Sequence, residues 1–211
     1  MPEVGPSRGR IGVLALQGAF REHKAMLRRL GADAVEVRLP HELEGVDGLV
    51  IPGGESTTIG KLLVAYDLME PIRKLAQEGL PILGTCAGLI VLARNIGANG
   101  QPLIGVMDIV VGRNAFGRQV DSFETDLAIP ALGEKHFHAV FIRAPLIETV
   151  GEGVEVLARL PDGRIVAARS ENLLVSAFHP ELTEDSRFHR YFLDMVEQKI
   201  GEKRSWAQAS A

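Results

Sequence analysis

The chain has 211 residues, 46% of them hydrophobic, which is enough apolar side chain to bury one substantial core and predicts a single domain over 1–211. A formal net charge of -4 and a pI near 5.9 leave no basic field for neutralising phosphates, so nucleic acid is excluded as the main partner. The single cysteine excludes an internal disulfide and fits a reducing, cytoplasmic compartment, where a lone thiol is either a small buried hydrophobe or a nucleophile.

In chain order, residues 1–9 are expected to form a flexible tail. The stretch Arg8 to Ala19 faintly imitates a signal peptide, but its apolar run is short and no small-residue cleavage site follows, so Ile11 to Leu16 reads as a buried first strand. Strands are also predicted at Ala34 to Val37, Gly48 to Ile51 and Pro81 to Thr85, with helices at Phe20 to Leu30, Ile59 to Tyr66 and Met69 to Glu78. The apolar stretch Leu80 to Ala93 is too short to span a bilayer and is broken by Gly84 and Gly88, so no membrane association is expected. From Ile104 to Phe178 the pattern changes to strand-like runs, including Val120 to Leu127, Phe137 to Ile142, Val154 to Leu160 and Arg164 to Ala168. A helix from about Glu184 to Ile200 closes the fold, and 201–211 is expected to be a second flexible tail. This alternation predicts an α/β fold, a mostly parallel sheet with helices on both faces and an antiparallel extension.

Chemistry concentrates at three strand ends. Pro81 to Thr85 runs into Gly84-Thr85-Cys86-Ala87-Gly88 and then an apolar helix, Leu89 to Arg94, the pattern of a nucleophile elbow with Cys in place of Ser. Glycines on either side leave room for a substrate carbonyl, and the helix directs its positive end and the Ala87 amide towards the sulfur. The alternative is a buried core thiol beside packing glycines. Leu173 to Phe178 ends in His179-Pro180-Glu181, where residues two apart emerge on one side, so the Glu181 carboxylate can reach the His179 imidazole and complete a Cys-His-Glu triad. The alternative there is a strand-end histidine beside a surface glutamate. Leu49 to Ile51 leads into Pro52-Gly53-Gly54-Glu55-Ser56-Thr57-Thr58, a glycine turn able to present an amide to an oxyanion. A phosphate loop is a poor reading, because the spacing to Gly60-Lys61 is wrong and Leu62 replaces the magnesium-binding hydroxyl; a tight turn with a Ser56 or Thr57 helix cap is the plainer alternative. His23, His41, His136, His138 and His189 lack such context and read as surface or partly packed residues. No metal and no cofactor are expected, since one Cys and no ligand-spaced pair make zinc improbable.

These segments, with Leu14-Ala15-Leu16-Gln17-Gly18, Gly112-Arg113-Asn114-Ala115-Phe116-Gly117-Arg118-Gln119 and Phe141-Ile142-Arg143-Ala144-Pro145, resemble the class I (triad) glutamine amidotransferases, and within them the glutaminase subunits of pyridoxal 5'-phosphate synthase. The resemblance runs from about Arg10 to Lys199 and implies the flavodoxin-like fold of that class. It implies hydrolysis of L-glutamine to glutamate and ammonia by Cys86, His179 and Glu181, with Gly54 and Ala87 as oxyanion hole. Glutamine would be held by Gly54, Glu55 and Ser56, by Arg113, and by Ile142 and Arg143. The implied partner is a (β/α)8-barrel synthase subunit that combines the ammonia with ribose 5-phosphate and glyceraldehyde 3-phosphate to make pyridoxal 5'-phosphate, and whose docking activates the glutaminase. Gln17, at the end of the first strand, is the candidate coupling between that interface and the site. Two rivals share parts of the pattern: a cysteine peptidase or chaperone-like relative of the same fold, and a non-catalytic binding subunit. The first leaves the amino-acid pocket unexplained, and the second leaves the intact triad unexplained.

Overall fold

A computed structural model describes residues 8–97, 100–112 and 122–209. Strand β1 (Arg10–Leu14) leads through α1 (Phe20–Arg29) to β2 (Asp33–Val37), and β3 (Gly48–Ile51) is followed by α2 (Ser56–Ala65) and α3 (Met69–Gln77). β4 (Ile82–Thr85) passes through Cys86 into α4 (Ala87–Leu92) and β5 (Ala93–Asn95). The second half contributes β6 (Met107–Gly112), β7 (Ser122–Leu127), β8 (Phe137–Ile142), β9 (Leu146–Val150), β10 (Val154–Arg159), β11 (Ile165–Ser170), β12 (Leu173–Ser176) and the long helix α5 (Arg187–Ala209).

The main sheet runs β2-β1-β3-β4-β12-β11-β9-β6-β5, with β10 paired to β11. Pairing is parallel from β2 through β12 and antiparallel from β12 to β6, so the antiparallel extension predicted for the second half is continuous with the parallel core. β3, β4 and β12 are buried along their whole length, as expected for strands covered on both faces by helices. Those helices are amphipathic: α1 buries His23, Met26 and Leu27, and α3 buries Met69, Ile72 and Ala76, at spacings that line one face of a 3.6-residue turn. β7 and β8 form a separate two-stranded sheet, held by stacked Phe123 and Phe141 and by an aromatic cluster in which Phe137, Phe141 and Phe188 surround Phe178.

Several predicted boundaries differ: β1 ends at Leu14 rather than Leu16, α2 starts at Ser56 rather than Ile59, and α5 at Arg187 rather than Glu184. The helix placed at Leu89 to Arg94 starts at Ala87 and ends at Leu92, because Ala93 is extended and pairs with Met107 while Arg94 reaches Asp108 at 3.0 Å, making an edge strand of the segment. The last helix runs on from Ile200 to Ala209, and Arg8 clasps its flank through Asp194 at 2.6 Å and Glu197 at 2.5 Å. Among the described residues, no helix is long and apolar enough to cross a membrane.

Candidate active site

Strand register brings the three chemical segments together. Ile51 is level with Gly84, and Thr85 with Ser176, so the chain leaves the carboxyl ends of β3, β4 and β12 side by side, at Pro52, Cys86 and Ala177. In an open α/β sheet this is where ligands bind, and β1, whose neighbours β2 and β3 mark a reversal in strand order, delivers Gln17 to the same edge.

Cys86 has φ 49° and ψ -102°, a left-handed conformation rare for a side chain and held here by neighbours rather than by preference. Its N–H donates to Ser176 O at 2.8 Å, and Ile90 N–H donates to Cys86 O at 3.3 Å, so strand and helix grip the turn from both sides. The thiol lies 4.0 Å from Ile142 O, at the end of β8. The elbow requires Gly88: a Cβ there would lie 2.0 Å from the Ile51 carbonyl oxygen, which is backbone and has nowhere to go. Gly88→Ala is therefore expected to displace α4, lowering stability by about 1–3 kcal/mol and the reactivity of the Cys86 thiol with it; thermal unfolding beside a thiol-alkylation rate checks both.

His179 is nearly buried, and its Nδ1 sits 2.7 Å from Glu181 Oε1, so the predicted base and orienting acceptor do meet. Its loop is tied to the small sheet by His179 N–H donating to Val140 O at 2.8 Å. Burial alone would strip the imidazolium of its proton, but the hydrogen bonds and charges of Cys86 and Glu181 outweigh it and raise His179 to about 10. Burial likewise works against the Glu181 carboxylate, yet nearby histidines bring it down to about 2. Of these, His23 is itself driven neutral by complete burial, so the lasting cause is His179.

These shifts have a definite sign in stability. The His179 contribution is full below its ordinary value of 6.5 and is lost as pH rises through about 10; that of Glu181 is full above 4.5 and is lost as pH falls through about 2. The stability gap between the wild type and Glu181→Gln is expected to be widest from pH 4.5 to 6.5 and to narrow on both sides, as denaturant titrations across pH would register.

The glycine turn closes the site. A Cβ on Gly53 would lie 2.4 Å from His179 Cε1 and 3.3 Å from Cys86 Cβ, so only glycine lets this backbone pass against the imidazole. The Gly53 carbonyl accepts from Ala19 N–H at 3.1 Å, and Glu55 N–H donates to Gln17 Oε1 at 2.8 Å. Gln17, Gly54, Glu55, Ser56, Cys86, Ile142, Arg143 and His179 all border one pocket of about 340 Å³, within the range of small-molecule sites. Arg143 has φ 44°, a second left-handed residue on this wall. The Glu55 carboxylate caps α2, accepting from Thr58 N–H at 2.6 Å and Thr57 N–H at 3.3 Å, while Ser56 Oγ donates to Gln101 Oε1 at 3.3 Å. The plainer alternative of a Ser56 or Thr57 cap is not what forms, since Glu55 is the capping residue. Arg113 lies outside the described residues.

Two histidines depart from expectation. His23 and His189, read as surface or partly packed, are both completely buried behind the triad. His23 Nε2 lies 3.3 Å from Glu181 Oε2 and 3.1 Å from Thr85 Oγ1, and its Nδ1 lies 2.9 Å from His189 Nε2. The signal was available, because His23 shares the apolar face of α1 with Met26 and Leu27. Among the described residues, no group of His, Cys, Asp and Glu is arranged to hold a metal ion.

A model of the SNO glutamine amidotransferase family matches residues 13–198. The chain belongs to this family. It is 64% identical over 188 residues to the pyridoxal 5'-phosphate synthase subunit PdxT of Herpetosiphon aurantiacus, covering 88% of this chain and 99% of that one. Against the protein of the same name from Parafrankia, identity is 58% over 200 residues, covering 94% and 98%. A crystal structure of a glutamine amidotransferase superposes with a TM-score of 0.83 at 56% identity, over 88% of this chain and 98% of the other. A chain of PurLQS from Thermotoga maritima shares the fold alone, with a TM-score of 0.63 at 19% identity over 92% and 98% of the two chains.

Proposed function

We propose that this chain is the glutaminase subunit of a pyridoxal 5'-phosphate synthase, hydrolysing L-glutamine at Cys86 and passing the ammonia to a synthase subunit. The observation that carries the reading is that the Cys86 thiol and the His179 imidazole border one pocket, with the Glu181 carboxylate 2.7 Å behind the imidazole, in a chain of this family.

The sulfur attacks the side-chain amide carbon of glutamine, forming an S–C bond, while the carbonyl oxygen takes negative charge. The amides of Gly54 and Ala87 stabilise that oxyanion, each worth roughly 2.7 to 4 kcal/mol in comparable sites. His179, cationic at neutral pH, gives its proton to the departing nitrogen, and the C–N bond breaks to release ammonia. His179 then takes a proton from water, which attacks the thioester carbon; the S–C bond breaks and glutamate leaves. Glu181 keeps the imidazole in the productive tautomer and compensates its charge. For the substrate's α-carboxylate we assign Arg113 and Arg143, whose guanidinium groups suit a carboxylate fork, and the α-ammonium falls to oxygens of the Gly54-Glu55-Ser56 turn and Ile142.

Ammonia released into water is mostly protonated and loses its nucleophilicity, which favours direct delivery to a partner, for which we propose a (β/α)8-barrel synthase subunit. The reducing cytoplasm suits a reaction that depends on a free thiol. Gln17 is the proposed coupling element: it holds the amide next to Gly54, so a partner that moves it resets the oxyanion turn. Adding the synthase subunit is expected to raise the rate of glutamate formation, and labelling by 6-diazo-5-oxonorleucine should fall on Cys86. Equal rates with and without the partner would defeat the coupling; failure of both turnover and labelling would defeat the reading.

A further inference from the structure

Behind the triad, Glu181 is a carboxylate in a nearly dry setting whose two oxygens are treated differently. Oε1 is bound by His179, whereas Oε2 makes no hydrogen bond among the described residues and has His23 Nε2 3.3 Å away, at ion-pair distance. A buried carboxylate oxygen left bare is costly, and a carboxylate free to rotate would let the catalytic imidazole turn with it. His23 is completely buried on α1, in contact with Glu181, with Thr85 at the end of β4, and with His189 of α5.

The ring nitrogens of His23 and His189 allow two arrangements of protons. In one, His189 Nε2–H donates to His23 Nδ1, and His23 Nε2–H donates to Thr85 Oγ1 with its positive end 3.3 Å from Glu181 Oε2, as measured from the nitrogen. In the other, His23 Nδ1–H donates to His189 Nε2, which turns a lone pair of His23 against the carboxylate and leaves a proton on His189 Nδ1. That atom is buried with no hydrogen-bond partner. Since His189 Nδ1 lacks a partner in both arrangements, what makes the second the worse is the lone pair that it turns against an anion.

We propose that His23 is a positioning residue of the glutaminase, a neutral Nε2–H tautomer that anchors the second oxygen of Glu181, and that His189 sets this tautomer from behind. The inference rests on the glutaminase reading above. The groups facing His23 are Glu181 and His179 from the loop after β12, Thr85 from β4, His189 from α5 and Glu22 from its own helix. Complete burial, opposed by the Glu181 charge, lowers His23, and burial with His23 alongside brings His189 down to about 3, so both stay neutral at working pH. The device thus resembles the outer groups that orient metal-bound imidazoles, with a carboxylate in place of the metal ligand.

Two amide replacements separate this role from packing. Gln places a donor where Nε2 stands and can still reach Glu181; Asn places it where Nδ1 stands and can reach only His189. In the complex with its synthase subunit, His23→Asn is expected to lower kcat for glutamine hydrolysis by roughly ten- to a hundredfold with KM nearly unchanged. The acid limb of its pH profile should move upward, because a Glu181 oxygen stripped of its donor is protonated more readily. His23→Gln should stay within a few-fold of the wild type with an unshifted profile. Nitrogen NMR of the full wild-type chain, labelled at histidine and assigned with the His23 variants, reads the tautomer independently of turnover. A pyrrole-type Nε2 and a pyridine-type Nδ1 on His23 are expected. The opposite tautomer, or equal activities for the Asn and Gln variants, overturns the inference. A wild type that turns over no glutamine would instead sink the glutaminase reading, and the NMR result would still decide the tautomer.

Discussion

Cys86→Ala should reduce glutamate formation from L-glutamine to background, a loss on the order of a millionfold if the nucleophile and base act as a unit. The structure gives the reason the loss is so complete. His179 has Cys86 as its partner on the pocket side, and Gly53 closes over both, while Ser56, the hydroxyl on the pocket wall, is bound to Gln101 Oε1 rather than to the imidazole. Stability should change little, because Ala can occupy the same turn, which Ser176 O and Ile90 N–H hold by backbone contacts alone. A folded Cys86→Ala protein releasing ammonia at the wild-type rate would refute the assignment of the nucleophile.

Glu181→Gln is expected to cost about four orders of magnitude in kcat while leaving the fold in place. The glutamine side chain is the same size, but it can present an amide donor to His179 Nδ1, which forces the imidazole proton onto the nitrogen that must face the sulfur and substrate. In triads of this logic a wrong tautomer lowers kcat by about 10⁴ with the geometry intact. The positive charge of His179 would also lose the carboxylate that helps hold it at about 10. Initial rates of glutamate formation, measured with circular dichroism on the same samples, check the prediction; a kcat within tenfold of the wild type would mean that Glu181 is only a structural partner.

Much of this site is legible in the sequence. Gly48–Ile51 and Phe137–Ile142 end where their apolar runs end, because turn residues or an exposed arginine punctuate them on both sides. The pairing of His179 with Glu181, expected from strand geometry, holds at 2.7 Å for another reason: β12 ends at Ser176, and a short 3-10 turn over Pro180–Leu182 brings the carboxylate back to the imidazole. What local sequence withholds is adjacency. Cys86 and His179 are far apart in the chain, and only the parallel pairing of β4 with β12, with Thr85 level with Ser176, brings them together. The His23 and His189 pair escapes for a different reason: each looks like an isolated polar residue, although His23 lies on the same face as Met26 and Leu27 and His189 is flanked by buried Phe188 and Leu193. A histidine on the core side of an amphipathic helix must find a buried partner, and here the two helices supply one to each other. Strands Met107–Gly112 and Leu146–Val150 pair antiparallel across the sheet, a partnership that the alternating burial of Met107–Gly112 does not by itself reveal.

The most direct measurement follows nitrogen. The chain and its synthase subunit would be supplied with amide-labelled L-glutamine in an excess of unlabelled ammonium, and the pyridoxal 5'-phosphate formed would be weighed for label. Product carrying the glutamine nitrogen undiluted, and no such product with Cys86→Ala, is the expected result. Product built from bulk ammonium while glutamine is consumed, or glutamine left untouched by the wild-type pair, would contradict it.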